Sequence, residues 1–183
     1  MELNILDWFQ TLHTPILDKI MTSITKLGDA GIFWIVLTLL FLIIPKMRKT
    51  GIIMAAALIM DLLICNVAVK NLAARTRPYE VNTSVQLLVA KLHDYSFPSG
   101  HTAASFASVT ALYLAGERKL WKPALVLACL IAVSRLYLYV HYPTDVLGGM
   151  VFGILAGYVG YRLVKFLEAK ISGRKNAGKQ VRR

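Results

Sequence analysis

Charge is scarce in this sequence, and acidic charge most of all. Of 183 residues, 17% are charged and 10 are Asp or Glu. Mean hydropathy is +0.56 and 56% of residues are hydrophobic, against ~45–50% in soluble domains. A soluble globule is thereby excluded, and one membrane domain over residues 1–183 is expected. Cysteine is equally sparse. Cys65 and Cys129 both lie inside apolar runs, which argues against a disulfide framework or a zinc site and for buried thiols. No cleavable signal peptide is expected: the first residues lack a basic segment, and Asp7, His13, Pro15 and Asp18 interrupt the apolar positions. No internal repeat is present.

What the sequence does have is apolar runs separated by short charged loops, the pattern of an all-α membrane bundle of about five to six helices. Residues 3–27 place Leu3, Leu6, Phe9, Leu12, Ile16, Ile20, Ile24 and Leu27 three or four apart. That is an amphipathic stripe, broken near Pro15. With Asp7, Asp18, Lys19 and Lys26 on it, residues 1–28 read as an interfacial helix, or else as a polar-lined first membrane helix. Spans follow at 31–45, 50–72, 99–115, 122–140 and 143–167. The first is short and must borrow preceding residues to cross ~30 Å of hydrocarbon. Gly149, Gly153 and Gly157 form a small-residue stripe suited to close helix packing.

The basic excess is +11. In a soluble chain it would suggest nucleic acid; here the hydropathy overrides that reading and no nucleic-acid partner is expected. Lys46, Arg48 and Lys49 occupy one loop, and Arg118, Lys119 and Lys122 another. From Arg162 onward there are eight basic residues and one acid, much of this in a basic tail at 168–183. Five spans put all three on one face, and basic loops mark the cytoplasmic side. The expected placement is a multi-pass protein of the cell membrane with a cytoplasmic C-terminus. The opposite face nevertheless carries Lys70, Arg75, Arg77, His101, Arg135 and His141. Cations on the disfavoured side point to an anion.

Three clusters meet there. "KNLAARTRP" (70–78) contains Lys70 and Arg77, seven apart and so on one face of a helix continued that far, with Pro78 stopping it. Pro98-Ser99-Gly100-His101 opens a span, and Ser134, Arg135, His141 and Asp145 surround the next turn. Singly each has a plain reading: snorkelling cations at a span end, a Ser99 helix cap, an interfacial His141–Asp145 pair. Arg135 is harder to dismiss, because a guanidinium inside an apolar run is costly. Together they suit phosphoryl transfer. Arg supplies planar forks and Lys a point charge. A helix N-terminus adds backbone donors, and Gly100 permits close approach. Two histidines can divide attack on phosphorus from proton transfer, and Asp145 can orient the attacking ring. Two His and one Asp could also hold a metal, but the crowded cations would repel a divalent ion, so neither metal nor cofactor is expected.

The three clusters resemble the signature motifs of the phosphatidic acid phosphatase type 2 superfamily: Lys, six residues, Arg-Pro; Pro-Ser-Gly-His; and Ser-Arg, five residues, His, three residues, Asp. The resemblance implies a metal-independent lipid phosphatase on a six-helix core, with the N-terminal segment supplying one helix. It implies His141 as nucleophile, Asp145 as its orienting partner and His101 as acid toward the leaving group. Lys70, Arg77, Ser99, Gly100 and Arg135 would bind the phosphoryl group at headgroup depth on the extracytoplasmic face. The implied substrate is a lipid phosphate or diphosphate, with undecaprenyl pyrophosphate foremost and phosphatidylglycerophosphate or phosphatidic acid as alternatives. The motifs do not separate these and say nothing of oligomeric state. Haloperoxidases share the phosphate motifs but are soluble, so the hydropathy argues against that relation. A protein that binds or transports an anionic lipid without cleaving it would explain the cations but leave His101 and the His141–Asp145 spacing idle.

Other residues read more plainly. Arg75 is expected as a headgroup anchor first and an accessory contact second, His13 and His93 as interfacial histidines, and Tyr137, Tyr139 and Tyr142 as belt residues first and a lipid entry path second. Asp61, an acid inside a span, is expected to hydrogen-bond another helix. Loop 79–95 is a candidate for leaving-group specificity.

Overall fold

Thr14 and Pro15 divide the N-terminal stripe where the sequence places its break. The computed structural model describes residues 1–180, with side chains as far as Gly173, and among these every regular element is helical. Helix α1 (Glu2–Gln10) ends before a short turn. Thr14 then caps α2 (Pro15–Gly28), its side chain accepting from Leu17 N at 3.3 Å, with Pro15 in the first turn. A single 3-10 turn, Asp29–Gly31, follows with Ala30 and Gly31 at φ 49° and 67°, and the chain continues as α3 (Ile32–Ile43).

Pro15–Ile43 is therefore one kinked, 29-residue stretch, long and apolar enough to cross a membrane. The break expected near Pro15 is present: α1 is separate, and α2 joins α3 in the first long stretch, supplying the residues that the 31–45 run must borrow. The acids that argued otherwise have partners. Tyr137 Oη donates to Asp18 Oδ1 at 2.5 Å and Tyr139 Oη to Asp7 Oδ1 at 2.7 Å. The same bonds overturn the belt reading of the tyrosines. Tyr137, Tyr139 and Tyr142 are buried with Leu6, Tyr79, Leu138 and Val140, where a phenol needs a partner.

Helix α4 (Arg48–Asp61) widens into a π-helical stretch, Leu62–Val69, and tightens again as α5 (Lys70–Ala73). A short α6 (Pro78–Val81) begins the long loop. Then come α7 (Gly100–Ala115), α8 (Trp121–Tyr137) and α9 (Pro143–Gln180). Arg48–Val81 and Pro143–Gly173 are the other two stretches that meet the length and hydropathy of a span. Helices stand at the two remaining expected positions, where α7 and α8 have 16 and 17 residues. At 1.5 Å per residue they reach ~24–26 Å. Helix α9 carries on into the expected basic tail, and residues 181–183 lie outside the described residues.

Helices α7 and α9 touch backbone to backbone along the glycine stripe. A Cβ on Gly153 would sit 2.4 Å from Ala103 O, and one on Gly157 2.7 Å from Ala107 O, so only glycine allows this approach. Trp34, Phe41, Ile53, Met54, Phe106, Leu112 and Ile131 fill the core between the helices. Outward-facing Leu40, Ile43, Val126 and Val151 are exposed, an apolar girdle that suits hydrocarbon rather than water. Cys65 is buried as expected, whereas Cys129 is exposed.

The basic loops gather at one end. Thr50 Oγ1 donates to Glu117 Oε1 at 2.6 Å, and Lys49 Nζ pairs with Glu168 Oε2 at 3.0 Å.

Candidate active site

The opposite end is where the three motif clusters converge, and it does so by turns rather than by one helical face. Helix α5 stops at Ala73, and Ala74 takes a left-handed conformation (φ 45°). The expected helical face shared by Lys70 and Arg77 therefore does not exist. The two cations meet instead on one carboxylate: Lys70 Nζ hydrogen-bonds Asp94 Oδ2, and Arg77 Nη2 donates to Asp94 Oδ1 at 2.6 Å. Arg77 is almost wholly buried and fully engaged. Its Nε donates to Asp94 O at 2.8 Å, its Nη1 to Val140 O at 2.9 Å, and its Nη2 also to Tyr95 O at 3.2 Å. Burial alone would raise the pKa of Asp94, but Lys70 and Arg77 outweigh it and draw the carboxyl down to about 2.

Arg77 Nη1 also lies 3.3 Å from His141 Nε2. A guanidinium can only donate, so Nε2 is the accepting, unprotonated nitrogen. Nδ1 then carries the proton and faces Asp145 Oδ2 at 3.5 Å. His141 sits in the turn between α8 and α9. Burial, with the charges of Arg135 and Arg77 added, holds its imidazole far below the ordinary histidine value, at about 3. It is a neutral ring with its lone pair presented beside a cation.

Asp145 is fully buried and held from several sides. Its Oδ2 accepts from Ser96 Oγ at 2.5 Å and from Tyr142 N at 2.9 Å. Its Oδ1 accepts from Arg75 Nη1 at 2.7 Å, and Arg75 Nη2 reaches Glu2 Oε2 at 2.6 Å. Arg75 also lies over the Tyr142 ring, 3.9 Å from its centroid. The headgroup-anchor reading of Arg75 is thus overturned, because two carboxylates draw its guanidinium inward. Glu2 in turn accepts from Thr144 N at 3.1 Å, so α1 is tied to the first turn of α9.

At the start of α7, Ser99 caps by position only. Its hydroxyl accepts from Thr102 Oγ1 at 3.0 Å and makes no bond to the helix N–H groups. The expected side-chain cap is absent, which leaves those first N–H groups free for an anion. A Cβ on Gly100 would meet Asn66 Oδ1 at 3.0 Å and lie 3.9 Å from Lys70 Nζ, so glycine lets the helix end pack closely on Asn66, beside Lys70. His101 Nε2 lies 2.9 Å from Asp29 Oδ1. Arg135, deeply buried on α8, donates through Nη1 to Thr25 Oγ1 of α2, and its Nε has no partner.

A cavity of about 750 Å³ joins these parts. Lys70, Arg77, Asp94, Gly100, His101 and His141 line its polar end, and Ile35, Leu39 and Leu42 of α3, Leu58 and Ile59 of α4 and Leu62 of the π-helical stretch its apolar remainder. Ser99, Arg135 and Asp145 stand behind that wall rather than on it. Asp61 also lines the cavity, with one carboxylate oxygen unpartnered. The expected bond to another helix is not made. His13, by contrast, stacks on Tyr137 with ring centroids 4.3 Å apart, at the interface of α1, α2 and α8.

Asp94, Ser96, Arg75 and Asp29 therefore join the site without having been marked by motif spacing. Arg75 was legible as a cation of this face and Asp94 as part of the 79–95 loop; nothing in the sequence marked Ser96 or Asp29.

Comparison with known proteins bears on the family and the fold. Residues 50–168 match the PAP2 superfamily model. An undecaprenyl-diphosphatase of Sulfolobus acidocaldarius is 30% identical over 80% of this chain and 70% of its own length. The crystal structure of Aquifex aeolicus LpxE superposes with a TM-score of 0.76 at 28% identity, covering 88% of this chain and 94% of that one. A transmembrane phosphatidylglycerolphosphate phosphatase of Bacillus subtilis gives 0.68 at 30% identity, covering 92% and 84%. With the family model spanning most of the chain and all three motifs gathered on one cavity, the protein belongs to the PAP2 superfamily.

Proposed function

We propose that this phosphatase removes the terminal phosphate of a lipid diphosphate, undecaprenyl pyrophosphate foremost, through a phosphohistidine at His141. The observation that carries the reading is His141 Nε2, unprotonated beside Arg77 and backed by Asp145, at the polar end of a cavity whose walls are otherwise apolar. Lys70, Arg77 and the N-terminus of α7 hold the phosphoryl oxygens, and Arg135 adds positive potential from behind. Nε2 forms a bond to phosphorus as the P–O bond to the leaving group breaks, and His101 gives that oxygen its proton. Water, deprotonated by His101, then attacks phosphorus and releases the histidine. Asp145 stabilises the charged ring between the two steps. The apolar groove between α3 and α4 accepts the lipid chain.

Phosphatidylglycerophosphate is the second reading, favoured by the similarity to the B. subtilis enzyme. Purified protein offered undecaprenyl pyrophosphate, phosphatidylglycerophosphate and phosphatidic acid side by side tests both. A turnover preference for the diphosphate, unaffected by a chelator, supports the first reading. Preference for phosphatidylglycerophosphate selects the second, and no phosphate release from any of them leaves only lipid binding. The site lies on the extracytoplasmic face of the cell membrane in this reading, opposite the basic loops. A cysteine placed in the 79–93 loop is then labelled by an impermeant reagent in intact cells.

A further inference from the structure

His101 is mounted on a residue outside all three motifs. Its Nε2 meets Asp29 Oδ1 at 2.9 Å, and Asp29 opens the 3-10 turn between α2 and α3. The backbone is shaped around this contact. Ala30 and Gly31 take left-handed conformations, which breaks the helix at the level of the ring. Gly28 has no Cβ where one would stand 2.6 Å from His101 Cδ2. Gly28, Ala30, Gly31 and His101 all line the cavity, so the kink is both a wall of the site and the seat of the imidazole.

We infer that Asp29 is the positioning residue for His101, as Asp145 is for His141; this rests on the reading of His101 as proton donor to the leaving oxygen. A carboxylate only accepts, so the ring nitrogen facing Asp29 carries its hydrogen throughout. That fixes which nitrogen exchanges a proton with substrate, and the carboxylate offsets the positive charge of the doubly protonated ring. When the P–O bond breaks, the proton on the other nitrogen passes to the leaving oxygen, and the neutral ring still donates to Asp29. In the second step the same nitrogen takes a proton from the attacking water, restoring the starting state. A purely structural role fits poorly, because Asp29 is 55% exposed and ion pairs in that setting contribute little to stability.

The test is leaving-group dependence of kcat/KM, which reports the step in which the leaving group departs. Two substrates are compared: dioctanoyl phosphatidic acid, whose alkoxide must be protonated, and p-nitrophenyl phosphate, whose phenolate leaves unaided. General acid catalysis contributes roughly 10²–10⁴-fold, so losing its positioning partner is expected to cost Asp29→Asn roughly tenfold on the first substrate and less than about twofold on the second. Gly28→Ala, which pushes the ring off its seat by a different route, gives the same pattern. Equal losses on both substrates, or none on either, overturn the proposal. His101→Ala is the control. If it shows no leaving-group dependence, the assignment of His101 as acid fails first; if it shows dependence and Asp29→Asn does not, Asp29 alone is ruled out.

Discussion

Asp94→Asn should strengthen anion binding, because the carboxylate of Asp94 sits between Lys70 and Arg77 where a phosphoryl oxygen is needed. The free protein holds its cradle together with an internal anion, and an incoming phosphate must displace or crowd it. Asparagine keeps the backbone carbonyl that Arg77 Nε uses and a side-chain oxygen for Nη2, so Arg77 stays in place, while Lys70 loses its acceptor and is freed for the anion. Two unit charges ~5 Å apart at an effective dielectric near 40, suited to a half-exposed carboxylate, repel by about 1.7 kcal/mol. Allowing for solvent and salt leaves about 1 kcal/mol, roughly fivefold in an inhibition constant. Competitive inhibition by orthophosphate and orthovanadate, measured at low and high salt, reads this directly. Both constants should tighten by about that factor, and the gain should shrink as salt rises. Unchanged or weaker inhibition would refute the reasoning and make Asp94 a brace for Arg77 rather than a competitor for it.

Two further substitutions probe the surroundings. Arg75→Ala removes the ion pair on Asp145 Oδ1 and the tie to Glu2. Loss of about 1–2 kcal/mol of orientation is expected, roughly five- to thirtyfold in kcat, with lipid binding little changed in a vesicle-sedimentation assay. Gly153→Leu forces a Cβ to within 2.4 Å of Ala103 O. It should lower thermal stability in detergent by more than the ~1–3 kcal/mol typical of an overpacked core, since backbone cannot yield as a side chain does.

The helices and the convergence of the motifs were legible in the sequence, because both follow from spacing. Apolar runs gave α4, α7, α8 and α9, and the basic residues on the disfavoured face marked the site. Where the reading failed, the deciding partner was distant in sequence. Asp18 looked like a reason to keep α2 in the interface, and nothing local announces that Tyr137 would satisfy it. Arg75 looked like an anchor because its partners, Glu2 and Asp145, lie 73 and 70 residues away. The Lys70–Arg77 pair was expected on one helical face; the left-handed Ala74 ended the helix, and a loop carboxylate brought the two together. Asp94 and Asp29 sit in segments with no periodicity, where side-chain placement depends on tertiary turns rather than register.

Everything in the mechanism turns on a covalent bond between phosphorus and His141 Nε2. Rapid quench of the protein with a labelled lipid diphosphate, followed by digestion and mass spectrometry, tests it most directly. One added phosphoryl group on the peptide containing His141, acid-labile and base-stable, is expected in the wild type and not in His141→Ala, which should also have lost turnover. Full turnover in His141→Ala, or a phosphoryl group trapped on another residue, would contradict the account.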